Sequence, residues 1–311
     1  MCTTTGNVDL STEQVQTKTE IAGLLKTMGV RPRKRLGQNF LIDGNLMRRL
    51  ADAAEIGPDD LVFEVGAGTG GLTDLLLTRA RRLIVVEIDP TLYEIVSDRV
   101  GRIQDKSSCD ATVLNVDVLA TKHRLASDVE DALRTVESPS NPTAGVKLVA
   151  NLPYQVATPL IMNLLVDYPA VYRLCFTVQA EVGERITSRP GCKAYGPLSI
   201  VSQSLCSIDV VAKLPPQAFW PQPAVDSVML RMDVGDSPFS SREELRSFVR
   251  FVRGVFDHRR KTLRSGLRYV LDDKTGARVC AQVDATRRPE SFSVSEWLAI
   301  YRATASHVDT K

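Results

Sequence analysis

The chain has 311 residues, of which 43% are hydrophobic and 24% are charged, and its formal net charge is +2. This composition is typical of a globular protein with one large domain or two smaller ones. No apolar run approaches the roughly 18 residues that a membrane span needs, so we expect no membrane partner. The six cysteines form no CxxC pair, which argues against a zinc site and a disulfide framework, so we expect no metal and a reducing cytoplasm.

Residues 1–30 form a polar leader that we predict to be flexible. Because the leader has mixed charge and lacks the apolar core of a signal peptide, we expect a cytoplasmic protein. Leu46, Leu50 and Ala53 then recur at helical spacing, and Gly57-Pro58-Asp59 ends that helix.

Short apolar runs alternate with helical segments in the middle of the chain. The predicted strands are Leu61–Val65, Leu83–Val86, Thr112–Val116, Val146–Ala150, Arg173–Val178, Asp209–Leu214 and Ser227–Met232. Strands that alternate with helices predict an α/β fold with a parallel sheet and helices on both faces. A Pro-rich loop without a helix joins the last two strands, which predicts a closing antiparallel hairpin at the sheet edge.

We place a domain boundary near Gly235-Asp236, because no strand pattern follows it. The apolar residues at helical spacing beyond it are Leu245, Phe248, Val249 and Val252. The sequence therefore predicts a sheet domain over residues 31–235 and a smaller helical domain over residues 236–311. The Ser-, Pro- and acid-rich segment 127–145 is predicted to be a surface loop or a short insertion.

A glycine-rich run follows the first strand. Gly66, Gly68 and Gly71 match the GxGxxG pattern of dinucleotide enzymes, whereas Gly66, Gly68 and Gly70, preceded by Glu64, match the GxGxG pattern of S-adenosylmethionine enzymes. Glycines allow a tight turn and let a ligand approach the backbone closely. The glycines by themselves leave both cofactors open.

Acidic residues follow the second and third predicted strands. Glu87 lies about 20 residues beyond the glycine run, where a carboxylate binds a ribose diol in either class of enzyme. Asp117 is more discriminating, because a carboxylate there accepts a hydrogen bond from an adenine amino group. The alternative for each acid is a helix N-cap.

Asn151-Leu152-Pro153-Tyr154 comes directly after the fourth predicted strand. The Asn151 side-chain oxygen and a neighbouring main-chain carbonyl are suited to accept hydrogen bonds from an exocyclic amine, and Tyr154 offers a ring for stacking. The alternative is an ordinary turn after a strand. A hydride-transfer enzyme has no use for this group, so it favours a methyltransferase that acts on an amino nitrogen.

Two clusters of positive charge suggest a polyanionic partner, and we prefer nucleic acid over a solvated helix face. The first cluster is Arg31, Arg33, Lys34 and Arg35. The second, called the basic stretch below, is Arg246, Arg250, Arg253, Arg259, Arg260, Lys261, Arg264 and Arg268.

Several motifs together resemble the small-subunit (16S-type) ribosomal RNA adenine N6,N6-dimethyltransferase family. They are Arg35-Leu36-Gly37-Gln38-Asn39-Phe40-Leu41, Glu64-Val65-Gly66-Ala67-Gly68-Thr69-Gly70, Val86-Glu87-Ile88-Asp89, Asn151-Leu152-Pro153-Tyr154, the loop at Lys193-Ala194-Tyr195-Gly196, the run from Pro215 to Ser227 and His258-Arg259-Arg260-Lys261-Thr262-Leu263. The resemblance implies a Rossmann-like methyltransferase sheet, a smaller C-terminal helical domain and S-adenosylmethionine as cofactor.

The same resemblance implies a role for each matching residue. In the cofactor site, Asn39 and Leu41 line the methionine end, Gly66 passes under the cofactor, Glu87 holds the ribose, Asp117 holds the adenine and Asn151 borders the cofactor. In the catalytic site, Asn151 orients the target amine, and Tyr154 and Phe219 sandwich the flipped adenine.

The resemblance also implies the reaction and the partner. The expected reaction is N6,N6-dimethylation of two adjacent adenosines near the 3′ end of small-subunit rRNA, which contributes to maturation of that subunit. The expected partner is the rRNA within a pre-mature small subunit, and the enzyme is expected to be a monomer. The rival interpretations are a ribosome-assembly checkpoint in which methylation is secondary, and a nicotinamide-dependent oxidoreductase.

Overall fold

The structure is a computed structural model that describes residues 16–33, 36–104, 108–134 and 145–305. The described residues group into two compact units that interleave along the chain. The first unit draws on Met1–Ala157, Ala170–Val178 and Val210–Arg231, and the second on Thr158–Pro169, Gln179–Asp209 and Met232–Lys311. This grouping places residues 158–169 and 179–209 in the unit with the C-terminal helices, and the domain boundary near Gly235-Asp236 stays a prediction.

The described strands and helices follow in chain order. The strands are β1 Phe40–Leu41, β2 Leu61–Val65, β3 Arg82–Val86, β4 Asp110–Leu114, β5 Leu119–Thr121, β6 Arg124–Leu125, β7 Val146–Asn151, β8 Val171–Gln179, β9 Cys206–Leu214, β10 Phe219–Trp220 and β11 Ser227–Val234. The helices are α1 Lys18–Thr27, α2 Gly44–Ala54, α3 Gly71–Arg79, α4 Pro90–Gln104, α5 Ser127–Arg134, α6 Tyr154–Asp167, α7 Ala180–Thr187, α8 Pro197–Leu205, α9 Arg242–Phe256, α10 Leu263–Leu267, α11 Asp273–Cys280 and α12 Val294–Ala305.

The main sheet of the described chain has seven strands in the order β4-β3-β2-β7-β8-β11-β9. The pairs β4-β3, β3-β2, β2-β7 and β7-β8 are parallel, which confirms the predicted α/β class. Strands β9 and β11 are neighbours at one edge, where the pairing of the last two predicted strands was expected. Every residue of β2 is buried, which explains why all of them except Glu64 are apolar.

The third predicted strand needs a correction of two residues. Strand β4 pairs with β3 from Arg82↔Asp110 to Val86↔Leu114, and the Glu87 N–H then donates to the Leu114 carbonyl at 3.0 Å. Pairing with β3 therefore ends the strand at Leu114. Asp117 consequently lies on the loop beyond the strand and does not follow its last residue directly.

The prediction of a flexible leader is wrong for its described part, since Lys18–Thr27 form helix α1. The helix begins with a capping box, in which Thr17 accepts from the Glu20 N–H and Glu20 accepts from the Thr17 N–H. Ile21 and Leu25 give the helix its buried face, and one turn of a helix separates them. Residues 1–15 lie outside the described residues.

The segment predicted as a surface loop or insertion begins instead with helix α5. Val129 and Leu133 lie one turn apart and are both buried, so an apolar helical face overrides the polar composition. Residues 135–144 lie outside the described residues.

In the second unit, helix α9 buries the apolar face predicted from its sequence. Leu245, Phe248, Val249 and Val252 are all buried. The ring of Phe248 meets that of Tyr301 on α12 with their centroids 5.3 Å apart. Edge-to-face and tilted aromatic contacts of this kind bury large apolar areas and hold the helices of the unit together.

Candidate functional site: a cofactor cavity at the strand ends

A cavity of about 250 Å³ in the first unit lies at the carboxyl ends of β2, β3 and β7. We call it the strand-end cavity. Its walls include the predicted site residues Asn39, Leu41, Gly66, Glu87, Asp117, Asn151 and Tyr154. Gly66, Glu87 and Asn151 converge because parallel strands end at one edge of a sheet, where such folds bind ligands.

The glycine turn, residues 66–71, brings main chain directly against the strand-end cavity. Gly66 has a φ of 77° and Gly68 a φ of 62°, both in the left-handed region. A Cβ atom at Gly66 would lie 2.7 Å from Cγ of Pro153, and one at Gly68 would lie 2.8 Å from Cε1 of Phe40. Both the backbone conformation and the lack of space therefore require glycine.

Glu87 is 4% exposed and is held by two main-chain donors. Its Oε2 accepts from the Gly68 N–H at 2.8 Å, and its Oε1 accepts from the Asp89 N–H at 2.9 Å. Burial raises the pKa of Glu87, and the two main-chain hydrogen bonds partly offset that rise. Each oxygen retains a further lone pair, so the carboxylate is suited to accept from the two hydroxyls of a ribose.

Asp117 is exposed at the rim of the strand-end cavity. Its Oδ1 accepts from the Leu119 N–H at 3.0 Å, which stabilises a turn before β5 and is not the helix N-cap of the alternative interpretation. The residue thus both stabilises a turn and faces the cavity. Sequence reasoning missed Asn115, whose Nδ2 donates to the Glu87 carbonyl at 2.8 Å and ties this loop to β3.

Glu64 also lines the strand-end cavity, although it was used only as part of the cofactor pattern. It is 2% exposed, and its Oε2 accepts from the Thr73 hydroxyl at 2.7 Å. Burial raises the pKa of Glu64 to about 8, because a charged carboxylate loses hydration in this site. The acid therefore stays protonated near neutral pH and contributes shape and hydrogen bonding more than charge.

Asn151 ends β7 with its side chain held from two sides. Its Nδ2 donates to the Asn39 carbonyl at 2.9 Å, and its Oδ1 accepts from the Thr177 hydroxyl. These two contacts define which way the amide points, and Oδ1 keeps a second lone pair. Thr177 is fully buried on β8, and sequence reasoning missed it, because a Thr within an apolar strand carries no motif.

Tyr154 begins α6 beside Asn151 and is half-buried. Its hydroxyl hydrogen-bonds with that of Ser227 at 2.9 Å, which anchors the far end of the ring. Burial raises the pKa of the phenol, so the side chain stays neutral at physiological pH. An anchored, neutral ring at the cavity wall is compatible with the stacking role, which stays a prediction.

Phe219 is not accessible, although the expected sandwich with Tyr154 requires its ring to contact the target base. Phe219 is 1% exposed and belongs to the buried apolar cluster of the first unit. Strand β10 pairs with β1, and Phe219 lies opposite Leu41. Apolar packing and this short antiparallel pair therefore bury the ring. Its contact with a base stays a prediction that requires the ring to become accessible.

The basic stretch belongs to the second unit, where its members differ in their partners. Arg246 forms ion pairs with Asp167 at 2.7 Å and Glu243 at 3.0 Å, so this residue serves the internal structure. Lys261 donates to the Tyr269 hydroxyl at 2.7 Å. The exposed cations of the stretch are Arg250, Arg259, Arg260, Lys261, Arg264 and Arg268.

The first basic cluster is only partly described, since Lys34 and Arg35 lie outside the described residues. Arg33 forms an ion pair with Asp89 at 3.2 Å, and its N–H donates to Gln38 Oε1 at 2.7 Å. Gln38 in turn donates to Asp89 at 3.0 Å. Arg33 therefore braces the loop before β1 as well as adding positive charge.

Among the described residues, no cluster of three or more His, Cys, Asp and Glu side chains is arranged to hold a metal ion. Within the same part of the chain, no helix combines the length and the apolar character that crossing a membrane requires.

Comparison with known proteins identifies close relatives along almost the whole chain. The profile of the family described as Ribosomal RNA adenine dimethylase matches residues 29–306. A protein of Moorella thermoacetica named ribosomal RNA small subunit methyltransferase A is 36% identical, covering 93% of this chain and 98% of the relative. The protein of the same name from Clostridium perfringens is 35% identical, covering 92% and 95%.

Solved structures show the same fold at low sequence identity. A dimethyladenosine transferase from Plasmodium falciparum has a TM-score of 0.67 at 22% identity and covers 86% of this chain and 98% of its own. The 23S rRNA methyltransferase ErmE has a TM-score of 0.62 at 22% identity, covering 86% of this chain and all of its own, 100%.

Proposed function

Because this chain belongs to the ribosomal RNA adenine dimethylase family, we propose that it dimethylates N6 of two adjacent adenosines near the 3′ end of small-subunit rRNA. It is an rRNA adenine dimethyltransferase that uses S-adenosylmethionine, and this membership excludes the nicotinamide-dependent alternative. We further propose that it acts as a monomer, in the cytoplasm, on a small subunit that is not yet mature. The checkpoint role is compatible with this activity.

The described residues of the strand-end cavity fit the cofactor. The glycine turn excludes Cβ atoms at Gly66 and Gly68, which leaves main chain as the cavity surface. We assign Glu87 to the ribose, Asp117 to the adenine, and Asn39 and Leu41 to the methionine end. When bound, S-adenosylmethionine supplies an electrophilic methyl group on a sulfonium centre.

The observation that carries the proposal is the doubly held side chain of Asn151. With its Nδ2 bonded to Asn39 and one lone pair of Oδ1 bonded to Thr177, the amide is fixed before substrate binds. The remaining lone pair of Oδ1 accepts one N–H bond of the target amine, and a neighbouring main-chain carbonyl accepts the other. Two acceptors orient the nitrogen lone pair, so catalysis is positioning by preorganised dipoles and needs no strong base.

The aromatic ring of Tyr154 is proposed to hold the target base once it is unpaired or flipped out of its helix. Its bond with Ser227 fixes the position of the hydroxyl end of the ring, so the base meets an anchored aromatic side chain. Stacking of this kind contributes about 1–3 kcal/mol per base. Phe219 is proposed as the second ring, which requires β10 to expose it when RNA binds.

Replacing Asn151 by Ala tests the catalytic proposal. The substrate is unmethylated small subunits, and mass spectrometry of rRNA nucleosides measures dimethyladenosine. We expect kcat to fall by about 10²–10³, the effect of removing one preorganised group, while the protein stays folded and still binds RNA. Asn45→Ala, at an exposed position of α2, is the matched control. Near-normal turnover by Asn151→Ala would show that Asn151 only shapes a turn.

Paired substitutions of Tyr154 separate stacking from its hydrogen bond. Tyr154→Leu keeps apolar bulk and removes the ring, so we expect a slower single-turnover rate. Tyr154→Phe keeps the ring and loses only the bond to Ser227, so we expect a smaller loss. Equal rates for the Leu variant and the wild type would refute stacking on this ring.

The exposed cations of the basic stretch are proposed to grip rRNA phosphates. Phosphate contacts release counterions, so subunit binding should weaken steeply with salt. Reversing Arg259, Arg260 and Lys261 to Glu should weaken subunit binding and flatten the salt dependence, while leaving S-adenosylmethionine affinity unchanged. Equal salt slopes together with a lowered Tm would instead favour internal bracing by these residues.

A further inference from the structure

We propose that Gln16 is a positioning residue for the cofactor, which holds the glycine turn at Thr69 and closes one wall of the strand-end cavity. The inference rests on the proposed function, because it concerns the cavity assigned to S-adenosylmethionine. It gives the N-terminal segment a role in the reaction that none of the sequence motifs indicates.

Gln16 and Thr69 are 53 positions apart in the chain and form a reciprocal pair of hydrogen bonds. Nε2 of Gln16 donates to the Thr69 carbonyl at 3.1 Å, and the Thr69 hydroxyl donates to Oε1 of Gln16 at 2.6 Å. Gln16 is 8% exposed and Thr69 is 2% exposed, so little water competes for these bonds. If the Gln16 amide were flipped, its Oε1 would face the Thr69 carbonyl oxygen, and both of these atoms are acceptors. One orientation of the amide therefore satisfies both groups.

This pair lies at the wall of the strand-end cavity. Gln16 and Thr69 both line the cavity, and so does Ile21 of α1. A Cβ atom at Gly71 would lie 3.4 Å from Oε1 of Gln16 and 3.4 Å from Cε of Met47. The Gln16 amide therefore packs directly on the first residue of α3, where the glycine turn ends.

Gln16 is held in place by the helix that follows it. The capping box of Thr17 and Glu20 defines the chain direction immediately after Gln16. The buried residues of the apolar cluster that anchors α1 are Ile21, Leu25, Phe40, Leu92 and Ile95. Anchored by this helix, the Gln16 amide restrains the Thr69 peptide before a ligand arrives, and a preorganised turn loses less entropy on binding.

Replacing Gln16 by Met removes both hydrogen bonds at similar side-chain size. We expect the loss of both buried bonds to weaken cofactor binding about tenfold, which corresponds to about 1.4 kcal/mol. Calorimetry should therefore give a Kd for S-adenosylmethionine about tenfold higher than that of the wild type. The kcat at saturating cofactor should change less than twofold, because Gln16 touches no reacting atom. Thr27→Ala, at the exposed end of α1, should bind like the wild type.

If Gln16 only stabilised the fold, it would not couple α1 to cofactor binding. By linkage, a segment that favours cofactor binding is itself stabilised by the cofactor. Hydrogen exchange of residues 18–27 should slow when S-adenosylmethionine binds to the wild type, and this slowing should be mostly lost in Gln16→Met. If Gln16→Met does not fold, Thr69→Val removes one of the two bonds and should raise the Kd about threefold.

This proposal would be overturned if a folded Gln16→Met variant bound S-adenosylmethionine as tightly as the wild type. It would also be overturned if hydrogen exchange in α1 did not change when the cofactor binds. A wild-type protein that binds no S-adenosylmethionine would overturn the proposed function as well, so the two failures are distinguishable.

Discussion

Replacing Glu64 by Gln isolates the free-energy cost of burying a carboxylic acid at the strand-end cavity. The residue is 2% exposed, and it accepts a hydrogen bond from the Thr73 hydroxyl. Burial raises its pKa to about 8, against an ordinary value of 4.5. Gln keeps the size and the acceptor oxygen but cannot ionise, so the substitution removes the titration and little else.

The pH dependence of the free energy of unfolding depends on how many protons the folded and unfolded states bind. Below pH 4.5 Glu64 is protonated whether the protein is folded or unfolded. Between pH 4.5 and about 8 the unfolded chain releases the proton while the folded protein retains it, so the free energy of unfolding falls as pH rises. At about 1.4 kcal/mol per pH unit the full loss is about 5 kcal/mol, and relaxation of the site reduces it. We expect Glu64→Gln to be more stable than the wild type by roughly 3 kcal/mol at pH 8.

Urea unfolding of the cofactor-free protein at pH 4.5, 6 and 8 measures this difference. The two proteins should agree within about 1 kcal/mol at pH 4.5 and diverge steadily above it. Titrating groups that do not interact with Glu64 cancel in the comparison, because both proteins carry them. Glu94→Gln, at an exposed position of α4, is the matched control and should follow the wild type at every pH. A constant difference between Glu64→Gln and wild type across this range would refute the assignment of a buried, protonated acid.

Three further outcomes follow from the site geometry. Thr177→Val should lower kcat roughly tenfold with little change in the cofactor Kd, because it removes the donor that orients Asn151. An unchanged kcat in timed methylation assays would argue against that role. Gly66→Ala should abolish S-adenosylmethionine binding in calorimetry, because its Cβ would overlap Pro153, and retained binding would contradict the tight turn. Cofactor affinity should fall as pH is lowered through the raised pKa of Glu87, and Glu87→Gln should bind weakly with a flat pH profile; matching profiles would exclude this carboxylate as the ribose acceptor.

Elements with a local signal can be predicted from the sequence. Strands β2 and β7 are buried on both faces, so their runs of apolar residues identify them without reference to any partner. The glycine turn can also be predicted from the sequence, because Gly66 and Gly68 adopt backbone conformations that other residues disfavour. Since parallel strands place their carboxyl ends together, the convergence of Glu87 and Asn151 on one cavity was predictable as well.

Contacts between segments that are distant in the sequence become visible in the folded chain. Strand β4 ends where its pairing with β3 ends, and Phe219 is buried because β10 pairs with β1. Thr177 and Gln16 were missed because each acts through a hydrogen bond to a residue far away in sequence, Asn151 in one case and Thr69 in the other. A buried Thr or Gln has no periodic pattern of its own, and its role exists only once folding removes water and supplies the partner.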